Sequence, residues 1–219
     1  MSEEKYPDKK LLINARKPQG DLGSRLIDMM NENHEGLARW STAHLDIAED
    51  DVILDIGCGG GVNVKRFLQM TDNKVYGLDY SELSVERSSR LNQKAIDDGK
   101  CEIVNGSVSD LPFDDDSFDI VTAFESVYFW PDFVNDLKEV RRVLKDDGII
   151  FIANEALPIE DDRRQRDFCD LLDANIYSED ELDESLREAG FSKVVSFTKD
   201  SIDSFTGDVA NWICIIALK

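Results

Sequence analysis

The sequence predicts an α/β fold built on one mostly parallel β-sheet with helices on both of its faces. From Asp51 onward, short apolar segments alternate with amphipathic ones, which is the pattern of repeated strand–helix units. The first apolar segment, VILDI, runs directly into a group of glycines, as strand-to-helix turns at ligand sites often do. Two consecutive apolar segments close the sequence, and they favour an antiparallel hairpin at one edge of the same sheet.

Five strands are expected before that hairpin, in the segments DVILDI, NKVYGLDY, CEIVNGSV, SFDIVTAF and IIFIAN. Helices are expected in VNVKRFLQM, SELSVERSSRLNQKAIDDG and DFVNDLKEVRRVLKDDG. Ser81 is a suitable N-cap for the second helix and Gly99 a suitable end, and the third helix is expected to end at Gly148. Since strand–helix–strand crossovers are right-handed, these strands lie parallel, and ligands bind beyond their carboxyl ends.

The last part of the chain carries clear boundary signals. A capping box of Ser178 and Glu181 begins a helix that Gly190 ends. The hairpin strands are SKVVSFTKD and NWICIIALK, joined by SIDSFTG, and the preceding segment 155–177 is polar and expected to be partly helical. Because a hairpin extends the existing sheet, we expect one domain over residues 47–219.

Residues 1–46 form a separate N-terminal helical extension in this interpretation. Helical periodicity occurs in two pieces, Leu22–Asn31 and Glu35–Leu45. An extension of this kind packs beside the core, and we expect this one to cover the ligand site as a lid.

The composition excludes several classes of function. The chain has 219 residues, a net charge of −21 and a pI of about 4.4, so it repels phosphate backbones and anionic membranes. It has no apolar run long enough to span a bilayer, and MSEEKYPDKK lacks the apolar centre of a signal peptide, so a cytoplasmic protein is expected. The four cysteines are far apart and there are two histidines, so we expect no metal site and no disulfide framework. The sequence does not indicate the oligomeric state.

The glycine-rich turn after the first strand is compatible with three classes of ligand. A Walker A loop requires the string G-x-x-x-x-G-K-[ST], which does not occur. A dinucleotide fingerprint requires a third glycine where Val62 stands, which disfavours a nicotinamide-dependent oxidoreductase. The turn does fit D-x-G-x-G-x-G, with Asp55, Gly57, Gly59 and Gly61, in which glycines let the backbone approach a ligand closely.

This spacing resembles motif I of the class I S-adenosylmethionine-dependent methyltransferases. The string LKEVRRVLKDDGIIFIAN resembles the ubiquinone/menaquinone-biosynthesis-like branch of that family, except that Asp146 and Asp147 replace the usual proline and glycine. The resemblance covers Ile47 to Lys219. It implies a Rossmann-like seven-stranded sheet in the order 3-2-1-4-5-7-6, with strand 7 antiparallel.

The resemblance also implies S-adenosylmethionine as cofactor, with S-adenosylhomocysteine as product. In the family the acid and glycines of motif I surround the methionine part, and an acid after strand two, here Asp79, binds the ribose hydroxyls. An alternative is that Asp79 only caps the helix that follows it. The acid before an L-P-F turn, here Asp110, reaches the adenine amino group, with Leu111 beside the ring. The predicted cofactor contacts are Asp55, Gly57, Cys58, Gly59, Gly61, Asp79, Tyr80, Ser81, Asp110, Leu111, Glu125 and Ser126.

The acceptor site is less well defined by the sequence. Candidate catalytic groups are His34, Glu125 and Tyr128, and a base is needed only if the acceptor keeps its proton. Candidates for the acceptor pocket are Lys17, His34, Trp40, Tyr128 and Trp130. The alternatives are that the aromatic residues pack in the core and that His34 is a surface or packed histidine.

The leading hypothesis is therefore transfer of a methyl group to a small-molecule acceptor by in-line displacement. The string FESV stands where base-methylating members of the family carry strings like N-P-P-Y, which argues against nucleic acid as the acceptor. The alternative is a protein that binds S-adenosylmethionine or S-adenosylhomocysteine without catalysis. The sequence does not indicate the acceptor, nor whether oxygen, nitrogen, sulfur or carbon is methylated.

Overall fold

A computed structural model describes residues 9–202 and 209–219 of the chain. The strands in chain order are β1 (Ile53–Ile56), β2 (Val75–Asp79), β3 (Cys101–Asn105), β4 (Phe118–Phe124), β5 (Leu144–Asn154), β6 (Ser192–Ile202) and β7 (Val209–Leu218). Within these ranges they form one sheet of order β3-β2-β1-β4-β5-β7-β6. Strand β7 is antiparallel to both of its neighbours, and the other pairs are parallel. The predicted fold class, strand order and terminal hairpin are confirmed.

The helices surround this sheet. They are α1 (Lys9–Leu12), α2 (Gly20–Asn33), α3 (Glu35–Thr42), α4 (Val62–Phe67), α5 (Glu82–Leu91), α6 (Gln93–Asp97), α7 (Phe133–Val143), α8 (Arg163–Leu172) and α9 (Glu179–Glu188), with a short 3-10 turn at Val127–Phe129. None of the helices in the described part of the chain has both the length and the apolar composition that a bilayer-spanning segment needs.

Two hydrophobic clusters cover the two faces of the sheet. Neighbouring residues of β1 point to opposite faces, so Leu54 joins one cluster with Leu137 of α7 and Leu186 of α9. Ile53 joins the other cluster with Phe67 of α4. All residues of β1 are buried, as is usual for a central strand of a parallel sheet. The carboxyl end of β1 is thereby held rigidly in the middle of the molecule.

The predicted end of the third helix at Gly148 is wrong. Helix α7 ends at Val143, and the chain enters β5 at Leu144, which pairs with Phe118. Asp147 has φ 64°, a left-handed conformation, and lies where the register between β4 and β5 shifts. Pairing with β4 overrides the helical pattern of this polar segment, since that pairing satisfies backbone groups across the sheet.

The other boundary signals agree closely with the structure. The Ser81 hydroxyl accepts a hydrogen bond from the Ser84 N–H at the start of α5, and both bonds of the capping box of Ser178 and Glu181 are present. The helix predicted up to Gly99 is divided into α5 and α6 at Asn92. Helix α8 confirms the partly helical segment before α9. Of the predicted link SIDSFTG, the first two residues belong to β6, and residues 203–207 lie outside the described residues.

The N-terminal extension is helical, as predicted, with α2 and α3 close to the expected bounds. Its first eight residues lie outside the described part of the chain. The division of the chain at residues 46 and 47 stays a prediction.

Candidate functional site

The turn between β1 and α4 is held by backbone hydrogen bonds to the neighbouring strand. The N–H groups of Gly57 and Cys58 both donate to the carbonyl of Leu78, at 2.8 and 3.0 Å. Gly57 has φ 73°, and a Cβ placed on it would lie 2.5 Å from the Cβ of Ser126. Gly59 has φ 52° and open space around it, so its conformation rather than crowding favours glycine there. The turn therefore presents bare backbone at the carboxyl end of the central strand.

Asp79, at the carboxyl end of β2, joins this turn to the next helix. Its Oδ2 accepts from the Gly59 N–H at 2.9 Å, and its Oδ1 accepts from the Ser81 N–H at 2.8 Å. The side chain is buried, and this desolvation raises the pKa of its carboxyl. Asp79 thus binds the N–H of Ser81, which is the N-cap of α5, and it also faces the cavity described below, so a contact at the helix start and a contact with a ligand are compatible.

Asp55 lies beneath the turn. It is 2% exposed, and its Oδ1 accepts a hydrogen bond of 2.7 Å from the Thr122 hydroxyl. Burial raises the pKa of Asp55 to about 7, with a further increase from the charge of Asp79. Asp55 does not line the cavity, so in this structure it supports the turn from behind.

A cavity of about 200 Å³ lies over the carboxyl ends of β1, β2 and β4. The predicted site residues on its wall are His34, Gly57, Cys58, Gly59, Asp79, Tyr80, Glu125, Ser126 and Trp130. The predicted site residues that are not on its wall are Lys17, Trp40, Asp55, Gly61, Ser81, Asp110, Leu111 and Tyr128. The structure thus brings nine of the predicted residues to one cavity.

The N-terminal extension forms part of the wall. The Ser81 hydroxyl donates to the Pro18 carbonyl at 2.7 Å, and the Tyr80 hydroxyl donates to the Arg16 carbonyl. A Cβ placed on Gly60 would lie 2.5 Å from the side-chain nitrogen of Asn31. These contacts place the extension directly on the glycine turn. Its movement as a lid stays a prediction.

The two residues expected to contact adenine, Asp110 and Leu111, do not line the cavity. Asp110 is exposed and forms an isolated backbone bridge with Ser107, while Leu111 is 3% exposed and packs in the core. Ser107 and Val108 line the cavity instead. They directly follow the carboxyl end of β3, which is the positional signal that could have found them in the sequence. A contact of Asp110 with a cofactor stays a prediction.

Three of the predicted pocket or catalytic residues lie apart from the cavity wall. Trp40 packs edge-on against His44 and lies 5.9 Å, centroid to centroid, from Trp212, so it belongs to an aromatic group beside β7. The Lys17 ammonium lies over the ring of Tyr80, 5.1 Å from its centroid. Tyr128 is buried among apolar neighbours, which is the core-packing alternative considered for the aromatic residues.

Cys58 has a structural environment rather than a reactive one. Its Sγ lies 3.8 Å from the Ser88 hydroxyl, and burial raises the pKa of the thiol well above its usual value. A thiol that stays protonated is a poor nucleophile. We therefore expect Cys58 to line the cavity without reacting.

A second polar group lies at the end of the cavity formed by β4, β5 and the extension. Glu125 follows β4 with φ 52°, and its Oε1 accepts a hydrogen bond from the Glu155 N–H. The Tyr128 hydroxyl lies 3.5 Å from the same oxygen, and His34 Nε2 lies 3.5 Å from Glu155 Oε1. One ligand atom each of His34, Glu125 and Glu155 lies within 4.8 Å of the others. We call these three residues the carboxylate–histidine cluster.

Burial dominates the electrostatics of this cluster. Desolvation and the negative charge of Glu155 raise the pKa of Glu125 well above that of an exposed glutamate, and His34 opposes this increase. Perturbed carboxyl groups in a cavity are typical of functional sites. No sequence motif singles out Glu155, but its position directly after β5 is the same signal that identifies Asp79 after β2.

Comparisons with known proteins identify relatives of this fold. A family model described as a methyltransferase domain matches residues 54–152. The chain is 33% identical to a 27-O-demethylrifamycin SV methyltransferase of Amycolatopsis mediterranei, over 67% of this chain and 56% of that protein. It is 34% identical to a sterol 24-C-methyltransferase of Aspergillus fumigatus, over 48% of this chain and 28% of that protein. The chain thus spans about half or less of the length of these curated relatives.

Solved structures share the fold at lower sequence identity. One is a chain of the complex between the Haloferax volcanii Trm112 methyltransferase activator and a putative methyltransferase, with a TM-score of 0.72 and 22% identity. The match covers 88% of this chain and 92% of that one. The likeness therefore extends over nearly the whole fold, including elements outside residues 54–152.

Proposed function

We propose that the chain is a class I S-adenosylmethionine-dependent methyltransferase and that it moves a methyl group to a small-molecule acceptor by in-line displacement. The methyltransferase-domain match over residues 54–152 and the 33% identity to a known methyltransferase support this proposal. Bound S-adenosylmethionine would supply an activated methyl group on a positively charged sulfur, and S-adenosylhomocysteine would be the product. The protein has to hold the cofactor and the acceptor in line and to exclude water from between them.

The observation that carries the proposal is the convergence of Asp79 and Gly59 on one cavity wall. A carboxylate can accept about four hydrogen bonds, and each oxygen of Asp79 accepts one from a backbone N–H. It therefore keeps capacity for the two hydroxyls of a ribose. Gly59 places no Cβ beside it, so a ligand can approach the backbone. We assign the ribose to Asp79 and the amino-acid end of the cofactor to the glycine turn.

The adenine ring is assigned to the wall formed by Ser107 and Val108, next to Asp79. In this proposal Val108 lies beside the ring, and Asp110, a few residues further along, accepts from the adenine amino group. Leu111 contributes from the core beneath this wall.

The opposite end of the cavity is assigned to the methyl acceptor. Glu125, Phe129 and Trp130 line this end, and carboxylates and aromatic faces stabilise a cationic sulfur. His34 is proposed as the base for an acceptor that keeps its proton, as long as its imidazole binds no cation. The net charge of −21 supports a small molecule over nucleic acid or an anionic membrane. A cytoplasmic location stays a prediction.

Binding of S-adenosylhomocysteine to the Asp79→Asn variant tests the assignment. The amide keeps the size of the side chain but loses acceptor capacity and charge, so we expect affinity to fall by about 10- to 100-fold. Isothermal titration calorimetry measures this loss. Asp98→Asn is the matched control, because Asp98 pairs with Lys94 on the surface. If Asp79→Asn bound as tightly as the unchanged protein, the ribose assignment would be wrong.

Catalysis needs a separate measurement. The relatives named above are methyltransferases, so they favour catalysis over binding alone. Methyl-labelled S-adenosylmethionine, incubated with a mixture of hydroxyl, amino and thiol metabolites, is expected to yield labelled product. Tight binding of S-adenosylhomocysteine with no labelled product from any of these classes would instead support the non-catalytic alternative.

A further inference from the structure

The carboxylate–histidine cluster gathers three metal-ligating side chains from distant parts of the chain. His34 lies between α2 and α3, Glu125 follows β4 and Glu155 follows β5. The side chains of His34 and Glu155 are largely buried, at 19% and 16% exposure. His34 and Glu125 also line the cavity. The cluster is therefore enclosed on one side by protein and open on the other.

We propose that the carboxylate–histidine cluster binds one divalent transition-metal cation, with one ligand atom from each of its three residues. Two carboxylate oxygens and one imidazole nitrogen form a mixed donor set that suits zinc or manganese, since magnesium and calcium prefer oxygen alone. Three protein ligands with an open position are also the arrangement of catalytic zinc sites.

The distances are compatible with such an ion. Ligand atoms bound about 2.1 Å from one cation lie roughly 3 to 4 Å from each other. His34 Nε2 and Glu155 Oε1 are 3.5 Å apart, so these two atoms already have the required separation. A carboxylate oxygen of Glu125 lies within 4.8 Å of a ligand atom of each of the other two residues, so we expect a small side-chain adjustment to complete the set. The hydrogen bond from the Glu155 N–H holds the Glu125 carboxyl beside them.

The charge balance favours a cation at the same place. Two carboxylates in a partly buried cavity repel each other strongly, because the low dielectric amplifies their interaction. A divalent cation between them offsets both charges. Its open positions would face the cavity, where an oxygen or nitrogen of an acceptor could bind. The site does not depend on methyl transfer, so its failure and that of the proposed function are separable.

Manganese broadening of histidine NMR signals tests the site directly. The chain has two histidines, and His44 lies beyond the far end of α3, roughly 15 Å away along the helix axis. Paramagnetic relaxation falls with the sixth power of distance. Adding a small, substoichiometric amount of MnCl₂ to the full, chelator-treated protein is expected to broaden the imidazole signals of His34 first and far more strongly than those of His44. His44→Asn provides the assignment.

Calorimetric titration with MnCl₂ and ZnCl₂ gives the second readout. We expect one ion per chain and a loss of affinity of at least about tenfold in Glu155→Gln and in Glu125→Gln. Glu35→Gln is the matched control, since Glu35 lines the same cavity but pairs with Arg66 and Arg39. Thermal unfolding without metal verifies that each variant is folded.

Three outcomes would overturn the metal site. Manganese could broaden neither histidine, or both equally, or Glu155→Gln could bind manganese and zinc as tightly as the unchanged protein. An ammonium group of an amine acceptor is the rival occupant. If 2-phenylethylamine shifted the His34 signals in a saturable way and manganese did not broaden them, the result would favour the ammonium group and reject the metal.

Discussion

The two ends of the cavity are built from different materials. At the glycine turn the wall is mainly backbone, held by Asp79 and by hydrogen bonds to Leu78, from residues close together in the chain. At the carboxylate–histidine cluster the wall consists of side chains that are far apart in the chain, His34 and Glu125, which are separated by 91 positions. A backbone wall tolerates sequence change as long as the turn keeps its shape. A side-chain wall changes its chemistry with every substitution.

This difference indicates that the two ends of the cavity bind different ligands. We expect the backbone end to bind the proposed cofactor, and the side-chain end to bind what is particular to this chain. Substitutions at the first end should therefore alter the binding of S-adenosylhomocysteine and the stability of the fold. Substitutions at the second end should alter the binding of a cation or acceptor alone.

The largest effect expected at the backbone end is a pH-dependent change in stability. The pKa of Asp55 in the folded protein, about 7, exceeds its ordinary value of 3.8, so folding favours the protonated form. The unchanged protein should lose stability from this group as the pH rises from 4 to 7, by up to about 4 kcal/mol. Asp55→Asn cannot ionise, so its stability relative to the unchanged protein should increase over that range.

Urea unfolding at pH 5 and pH 8 measures this difference. The comparison between the two proteins cancels the titration of all other carboxyl groups. Thr122→Val is a control, because it removes the hydroxyl bound to Asp55 but leaves the carboxyl able to ionise. Parallel stability curves for Asp55→Asn and the unchanged protein would contradict the raised pKa.

The next effect concerns the shape of the turn. Gly57→Ala places a Cβ 2.5 Å from Ser126 at a residue with φ 73°, so we expect a loss of about 3 kcal/mol in the free energy of unfolding. Affinity for S-adenosylhomocysteine should fall with it. Gly20→Ala is the matched control, since Gly20 also has a positive φ but open space, and should lose only about 1 kcal/mol. Equal losses would show that the contact with Ser126 has no importance.

The smallest expected effect separates two contributions of Ser81, which caps α5 and also binds the N-terminal extension. Ser81→Ala removes the cap of α5 and the bond to Pro18, and should cost about 2 kcal/mol in stability. Ser178→Ala removes only the cap of α9, at about 1 kcal/mol. Thermal unfolding and calorimetry with S-adenosylhomocysteine compare them. If only stability changed in Ser81→Ala, with affinity unaltered, the extension would not support the backbone end.

The same division explains what could be predicted from the sequence. Asp79 and Gly59 could be identified because the strand end, the turn and the helix cap are all local patterns. The end of α7 could not, because pairing of Leu144 with Phe118 depends on a partner 26 residues away. The position of Trp40 in the extension predicts a place in the acceptor pocket, but its partner, Trp212, lies at the other end of the chain.

At the side-chain end, the sequence predicts only part of the cluster, because its residues are brought together from distant parts of the chain. His34 is a candidate because the chain has only two histidines, and Glu125 is a candidate because it directly follows a predicted strand. Glu155 is one of 46 acidic residues, and only the register of β5 beside β4 places it near them. The physical cause is that a local pattern determines the position of a residue within its strand or turn. The residues that its side chain contacts depend on the assembled sheet.

The bond between Ser81 and Pro18 has a consequence for the order in which the molecule forms. It joins residues 63 positions apart, and the contact of Arg87 with Ser24 spans the same separation. During synthesis the extension leaves the ribosome well before these partners. Helices as short as α2 and α3 are marginal alone in water, so they have no stable place to dock until the chain has reached α5. The segment that encloses the cavity is thus made before the cavity exists and reaches its native contacts afterwards.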